Sequence, residues 1–135
     1  MDALKERGVQ YISGRMIGPN DAVMFDIDDT LIRTSGEIIS PIVALARRAA
    51  QMGYKIVIIT ARPHWFGDTV EYTKQNLRDI GVEWDRLVFC DGSQKGRMKR
   101  ELGYNFVLSV GDREWDLTDS HCWLNTSTMR YSCGS

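Results

Sequence analysis

Residues 22–32 read Ala22-Val-Met-Phe-Asp-Ile-Asp-Asp-Thr-Leu-Ile32, and the fold is decided there. The apolar run Ala22 to Phe25 is short enough to be a buried strand, and Asp26, Asp28 and Asp29 stand where that strand must end. In an open parallel sheet the crevice beyond the carboxyl ends of the strands takes ligands, so acids at that end face a pocket and not the core. Side chains two apart on an extended segment point the same way, which groups Asp26 with Asp28 and turns Asp29 aside. Two carboxylates crowded like this repel unless a cation separates them, and hard oxygen ligands suit Mg²⁺. Taken alone, the stretch also fits a strand closed by an acidic Asp-Thr turn.

Working outward, the pattern of an apolar run with a polar end recurs. Lys55-Ile-Val-Ile-Ile-Thr60 is a second strand ending on a hydroxyl, Leu87–Cys90 a third, and Phe106–Val110 a fourth that runs into Gly111-Asp112. Helical segments lie between them. Ser40 as N-cap and Pro41 open a helix over Ile42–Met52, with Ile42, Leu45, Ala46, Ala49 and Ala50 on one face and Gly53 as its stop. Asp68 caps a helix to about Ile80, and Lys95–Leu102 is a short basic helix ended by Gly103. Upstream, residues 1–21 form a packing helix that breaks at Gly18-Pro-Asn-Asp21. The tail, 125–135, is rich in Ser and Thr and is expected to be only partly ordered, with any fifth strand confined to Cys122-Trp-Leu124. Alternating strands and helices predict a single α/β domain with a mainly parallel sheet and right-handed crossovers. Asp26, Asp28, Thr60, Lys95 and Asp112 then collect at one edge of it.

A length of 135 residues suits one domain, and 43% hydrophobic with 26% charged residues is ordinary for a soluble protein. The net charge of −1 gives no whole-molecule field for nucleic acid, so affinity for a polyanion needs a local patch. Cys90, Cys122 and Cys133 lack metal-type spacing and favour free thiols in a reducing compartment, with one disulfide and one spare as the other arrangement. The amino terminus is charged and has no apolar signal core, and no run approaches a membrane span. A cytoplasmic location without membrane contact is the expectation. Oligomeric state is not legible.

Four motifs in order carry a resemblance: Asp-Ile-Asp-Asp-Thr at 26–30, Ile-Thr-Ala-Arg-Pro at 59–63, Lys95 heading Lys-Gly-Arg-Met-Lys-Arg-Glu-Leu, and Gly-Asp-Arg-Glu-Trp-Asp at 111–116. From Ala22 to about Leu117 the chain resembles phosphatases of the haloacid dehalogenase (HAD) superfamily, most closely in spacing the acid-phosphatase branch. The resemblance implies a Rossmann-like, HAD-type sheet flanked by helices, and Mg²⁺-dependent phosphate-ester hydrolysis through an aspartyl-phosphate. Asp26 is then the nucleophile, Asp28 the general acid and base, and Thr60 and Lys95 the clamps on the phosphoryl oxygens. Asp26, the backbone carbonyl of Asp28, and Asp112 would hold the metal. Asp116 would reach a metal-bound water, orient Lys95, or cap the following turn. Asp29, Thr30, Ala61, Arg62 and His64 are candidate substrate contacts. The chemistry fits without the name, because a phosphate ester needs an attacking oxygen, neutralised phosphoryl charge and a proton for the leaving group.

Several residues admit a plainer role. Lys99 rivals Lys95 one turn on, and Thr60 alone is an unremarked β-branched strand residue. His64 and Trp65 either line the entrance or form a surface turn, and Trp115 either stacks on a ring or packs over the sheet edge. The basic set Lys95, Arg97, Lys99 and Arg100 reads as a solvated helix face before it reads as a nucleic-acid patch. The intervals 31–59 and 61–94 each hold one helix, a strand or strand end, and loops, which leaves no room for the cap domain many superfamily members insert. A capless site encloses small substrates poorly and admits a phosphate on a large molecule. The leading function is therefore a phosphomonoesterase for nucleotides or similar small phosphate esters. The alternatives are a phosphatase for nucleic-acid ends or phosphoproteins, and a non-catalytic phosphate-binding scaffold, which would be expected to have lost one of the acids.

Overall fold

A computed structural model describes residues 1–65 and 67–134. Phe66, at the end of the loop after the second strand, and Ser135, the last residue of the tail, lie outside the described residues. In chain order the elements are α1 (Asp2–Ile12), β1 (Asp21–Phe25), α2 (Ser40–Met52), β2 (Lys55–Thr60), α3 (Thr69–Asp79) and β3 (Arg86–Phe89). A single 3₁₀ turn, Gly92–Gln94, then leads into α4 (Lys95–Leu102), β4 (Asn105–Gly111), α5 (Glu114–Leu117), β5 (Cys122–Asn125) and β6 (Tyr131–Cys133).

All five residues of β1 are buried because both faces of the sheet are covered. Val23 and Phe25 join Ile56, Ile58 and Val110 on the face packed by Leu4 and Ile12 of α1 and Ile42 and Leu45 of α2. Ala22 and Met24 join Val57, Ile59 and Phe106 on the other face, under Leu102 of α4. The period of two is present but hidden by double burial.

The strand order is β3-β2-β1-β4-β5-β6. Strands β1 to β5 pair in parallel, and β6 returns antiparallel to β5. The chain leaves β1 toward β2 and β3 on one side, then crosses to place β4 on the other, so the order reverses beside β1. Such a switch point opens a crevice at the carboxyl ends of the two strands. Phe25 pairs with Val110, and the Asp26 N–H donates to the Val110 carbonyl at 3.0 Å, which sets Asp26 and Asp112 on neighbouring strand ends.

Three expectations are corrected here. The tail through Gly134 is ordered: Asn125 Oδ1 accepts from the N–H groups of Ser127 and Thr128, a turn that returns the chain as β6. Cys122 and Cys133 are joined across β5 and β6 as a disulfide, leaving Cys90 as the thiol, which burial pushes up. The helix after the first motif is not capped by Ser40, which is already helical; Ile39 is the N-cap and makes no side-chain bond.

Helix α4 is not a solvated basic face. Lys95 and Lys99, one turn apart, are each 1% exposed. Arg97 pairs with Glu101 and Arg100 with Asp119 on the outside. Lys99 Nζ donates to Ser109 Oγ, the Asp116 carbonyl and the Thr118 carbonyl at 2.9, 2.6 and 2.6 Å, tying α4 to β4 and α5. Burial among these neutral oxygens pushes its amine down to about 7. Lys99→Met keeps the stem but orphans three acceptors, and is expected to lower stability by roughly 2 kcal/mol. Arg97→Gln on the outer face is expected to stay within about 0.5 kcal/mol of wild type. Urea midpoints of the two variants check the contrast, and equal midpoints would refute it.

Candidate active site

Lys95 opens α4 with its ammonium turned inward. Its Nζ lies 2.9 Å from Asp26 Oδ1 and 2.6 Å from Asp116 Oδ1, all three groups being almost fully buried. Burial works against the ammonium, yet Asp26 and Asp116 together hold it above the usual lysine range. Asp26 feels the opposite balance. Desolvation, with Asp116 and Asp112 adding to it, outweighs Lys95 and pushes its carboxyl up to about 8.

Asp116 is completely buried and both its oxygens are engaged, one by Lys95 and one by the Arg113 N–H at 3.0 Å. It holds the lysine, one of the roles its position in the sequence allowed, and it caps the start of α5 through the N–H three residues back where a cap on the following turn was expected. Gly111 makes this possible, because a Cβ there would collide with the Asp116 side chain. Trp115 similarly packs its ring against Gly92, in the turn that feeds Lys95, while 44% of it stays exposed at the cleft.

Asp28 is held from the second motif. Arg62 Nε and Nη2 donate to Asp28 Oδ2 and Oδ1 at 3.0 and 2.9 Å, a two-pronged grip. Arg62 Nη1 donates to Thr73 Oγ1 and Asn76 Oδ1 of α3 at 3.1 and 2.9 Å. The guanidinium was expected on the substrate; the structure gives it the task of aiming Asp28. Thr73 and Asn76 were missed by sequence reasoning. Their one available signal was a polar pair three apart on the inner side of α3, with Thr73 fully buried.

The remaining expectations divide. Asp26, Asp28, Asp29, Ala61, Arg62 and Asp112 line one open cleft of about 370 Å³. Within it the Asp29 carboxylate accepts the Thr34 N–H at 3.1 Å, and Asp29 itself sits at φ 60, so it shapes the loop. Thr30 is fully buried away from solvent, its Oγ1 without a partner among the described residues. Thr60 is 1% exposed and its Oγ1 accepts the Arg62 N–H at 3.2 Å, a bond that leaves the hydroxyl hydrogen to donate. His64 lies against Trp65 and Phe89, with ring centroids 5.5 and 5.8 Å away.

Oxygens of Asp26, Asp112 and Asp116 fall within 4.8 Å of one another. Three carboxylates face the buried Lys95 ammonium and, 3.8 Å from Asp112 on the exposed side, the Arg113 guanidinium, which leaves net negative charge; burial first and that charge second raise the Asp26 carboxyl. A hard divalent cation fits that donor set. Asp116 is spent on Lys95 and Arg113, so Asp26 and Asp112 are the carboxylates left for it. The Asp28 carboxylate, gripped by Arg62, stands outside the cluster and leaves its backbone carbonyl as the expected donor. Among the described residues no helix is long and apolar enough to cross a membrane.

Comparisons with solved structures agree with this architecture. The class C acid phosphatase of Bacillus anthracis superposes with a TM-score of 0.69 at 18% identity, covering 87% of this chain and 65% of its own. The same enzyme with tungstate bound gives 0.67 at 18% identity. A chain of the Pnkp1/Rnl/Hen1 complex gives 0.59 at 21% identity, covering 77% of this chain and 43% of its own. At such identities the likeness is one of fold. The chain spans between about two-fifths and two-thirds of the length of these proteins. A search of curated proteins finds no match. The profile of the haloacid dehalogenase-like hydrolases matches residues 23–90, half of the chain and both elements that carry Asp26, Asp28, Thr60 and Arg62; the protein belongs to that family.

Proposed function

We propose that this hydrolase is a Mg²⁺-dependent phosphomonoesterase that works through an aspartyl-phosphate on nucleotides or similar small phosphate esters. One observation carries the reading: at the switch point a buried carboxylate, Asp26, touches Lys95 and adjoins Asp112, while the neighbouring Asp28 is aimed by Arg62. An Asp26 oxygen attacks phosphorus as the ester oxygen departs, and Asp28 gives that oxygen its proton. Asp28 then takes a proton from the water that cleaves the acyl-phosphate, which returns Asp26. Lys95 has a third N–H, and Thr60 a hydroxyl hydrogen, to offer the phosphoryl oxygens. A cation held by Asp26 and Asp112 would neutralise phosphoryl charge. Both Asp28 oxygens accept from Arg62, which is the arrangement of the base form; as acid, Asp28 has to release one of them.

A second reading, a phosphatase for nucleic-acid ends, draws on the capless cleft, on exposed Trp115 and Tyr72 beside it, and on the RNA repair complex named for one structural neighbour. It draws nothing from the basic helix, whose two lysines are internal and whose arginines are paired.

A screen of nucleotides, sugar phosphates, phosphopeptides and phosphate-ended oligonucleotides, with Mg²⁺ or with EDTA, tests the reading. Asp26→Asn is expected to abolish turnover while keeping the fold. Asp28→Asn is expected to cost alkyl phosphates far more than aryl phosphates, whose leaving groups need less help. A folded Asp26→Asn enzyme at wild-type rate would end the mechanism.

Charge gives an independent expectation. An ordinary aspartate titrates near 3.8 and Asp26 near 8, so across that window the folded protein holds a proton the unfolded chain has lost. Metal-free stability therefore falls as pH rises through it. In EDTA the melting temperature is expected to drop between about pH 5 and about pH 8, and Asp26→Asn to remove most of the drop. Mg²⁺ is expected to raise the wild-type melt at about pH 8 and to raise the variant's less. A wild-type melt that is flat with pH and indifferent to Mg²⁺ would count against the crowded-carboxylate site.

A further inference from the structure

Beside the catalytic cleft lies a larger hollow of about 560 Å³. Asp28, Thr34 and Arg62 line both spaces, while Asp26 and Asp112 line only the smaller one. Resting on the phosphatase reading, this layout has a direction. In an in-line displacement the leaving oxygen is opposite the nucleophile. Asp28, which protonates that oxygen, marks the exit. Whatever the oxygen is attached to continues past Asp28, away from Asp26, into the hollow.

The lining of the hollow indicates what fits. Ile38 and Tyr72 belong to it with 49% and 65% of their surfaces exposed, and Ile32 and Ile80 add apolar wall. Asn76 spends its amide oxygen on Arg62, which leaves the amide NH₂ to donate, and Asp79, one oxygen of which accepts from Gln75, has its other oxygen to offer. An exposed aromatic with an aliphatic neighbour suits a planar ring, and a donor and an acceptor on the adjoining helix suit hydroxyls and ring-edge polar groups. Arg33 adds a cation for a further anionic group. The loop that carries Arg33, Thr34 and Ile38 is set in place: Asp29 holds the Thr34 N–H, Arg33 N–H donates to the Glu37 carbonyl at 2.7 Å, and Gly36 takes φ 97, a left-handed conformation that favours glycine. A built wall of this kind is more than a stray surface hydrophobic.

We infer that this hollow is the leaving-group subsite and that it takes a nucleoside, its base against Tyr72 and Ile38 and its sugar toward Asn76 and Asp79. The nucleoside belongs either to a free mononucleotide or to the end of a strand, where Arg33 meets the next phosphate.

The test separates this inference from the activity beneath it. Turnover of glycerol phosphate by the wild type reports the phosphatase alone, and its absence would remove the reading while leaving the binding arm intact. In that arm, adenosine titrated into the wild type is followed by NMR. Shift changes are expected at Tyr72, Ile38 and Asn76, weakened in Tyr72→Ala. In the kinetic arm, Tyr72→Ala is expected to lower the ratio of kcat/KM for a nucleoside monophosphate to that for glycerol phosphate by about tenfold, with Arg97→Gln as a control outside the site. Arg33→Gln is run on a mononucleotide and on a phosphate-ended oligonucleotide. A loss larger on the oligonucleotide assigns the nucleoside to a strand end, and an equal or absent loss assigns it to a free nucleotide. Adenosine shifts absent from the hollow, or an unchanged ratio in Tyr72→Ala while both esters are hydrolysed, would overturn the proposal.

Discussion

Everything at this site follows from like charges that the backbone holds together. The Phe25–Val110 pairing and the bond from the Asp26 N–H to Val110 place two adjacent parallel strands so that Asp26 and Asp112 end side by side, and Asp116 folds back over Gly111 to join them. Asp26 and Asp116 are almost fully buried, so their charges are poorly screened. Lys95 supplies one positive charge from the first residue of α4. Burial, with the neighbouring carboxylates adding to it, keeps the Asp26 carboxyl high, and the remaining imbalance of charge suits a cation. The same crowding is what fits these strand ends for the metal and the phosphoryl group of the proposed reaction. The stability to tolerate it comes from a sheet buried on both faces.

Around that centre each reactive side chain is steered by a partner from another element. Arg62, braced on Thr73 and Asn76 of α3, aims Asp28. Lys99, inside α4, holds the carbonyls of Asp116 and Thr118 and so fixes the turn that presents Asp116 to Lys95. Thr126, just past β5, donates its hydroxyl to the Asp29 carbonyl and its N–H to Gly111, joining the first and fourth motifs. A site supported in this way needs no cap to be rigid. It remains open beside Asp28, the side to which the proposed mechanism assigns the leaving group.

The centre of the fold was legible because burial on both faces writes strands as unbroken apolar runs, and because acids at their ends have few structural uses. Lys55–Thr60 and Lys95–Leu102 have the bounds their patterns suggested. What stayed hidden depends on pairings between distant residues. Lys99 and Arg97 look alike in a basic octapeptide, and only the position of β4 and α5 sends one inward. Arg62 reads as a substrate contact until α3 is seen behind it. The Ser- and Thr-rich tail reads as loose because its order comes from the Asn125 turn and from Cys133 meeting Cys122, neither of which has a local period. Ser40 followed by proline reads as a cap, although the helix starts one residue sooner.

The claim that Asp26 becomes covalently phosphorylated is open to direct observation. In Asp28→Asn an aryl phosphate, whose leaving group departs without a proton, should still load Asp26, while the missing base slows release. Mixing that variant with substrate and Mg²⁺, quenching in acid and mapping peptides by mass should reveal one added phosphoryl group on the peptide that contains Asp26. The adduct should be absent from an Asp26→Asn, Asp28→Asn double variant. Phosphate released by the single variant with no phosphoryl group ever found on Asp26, or an adduct that persists in the double variant, would contradict the account.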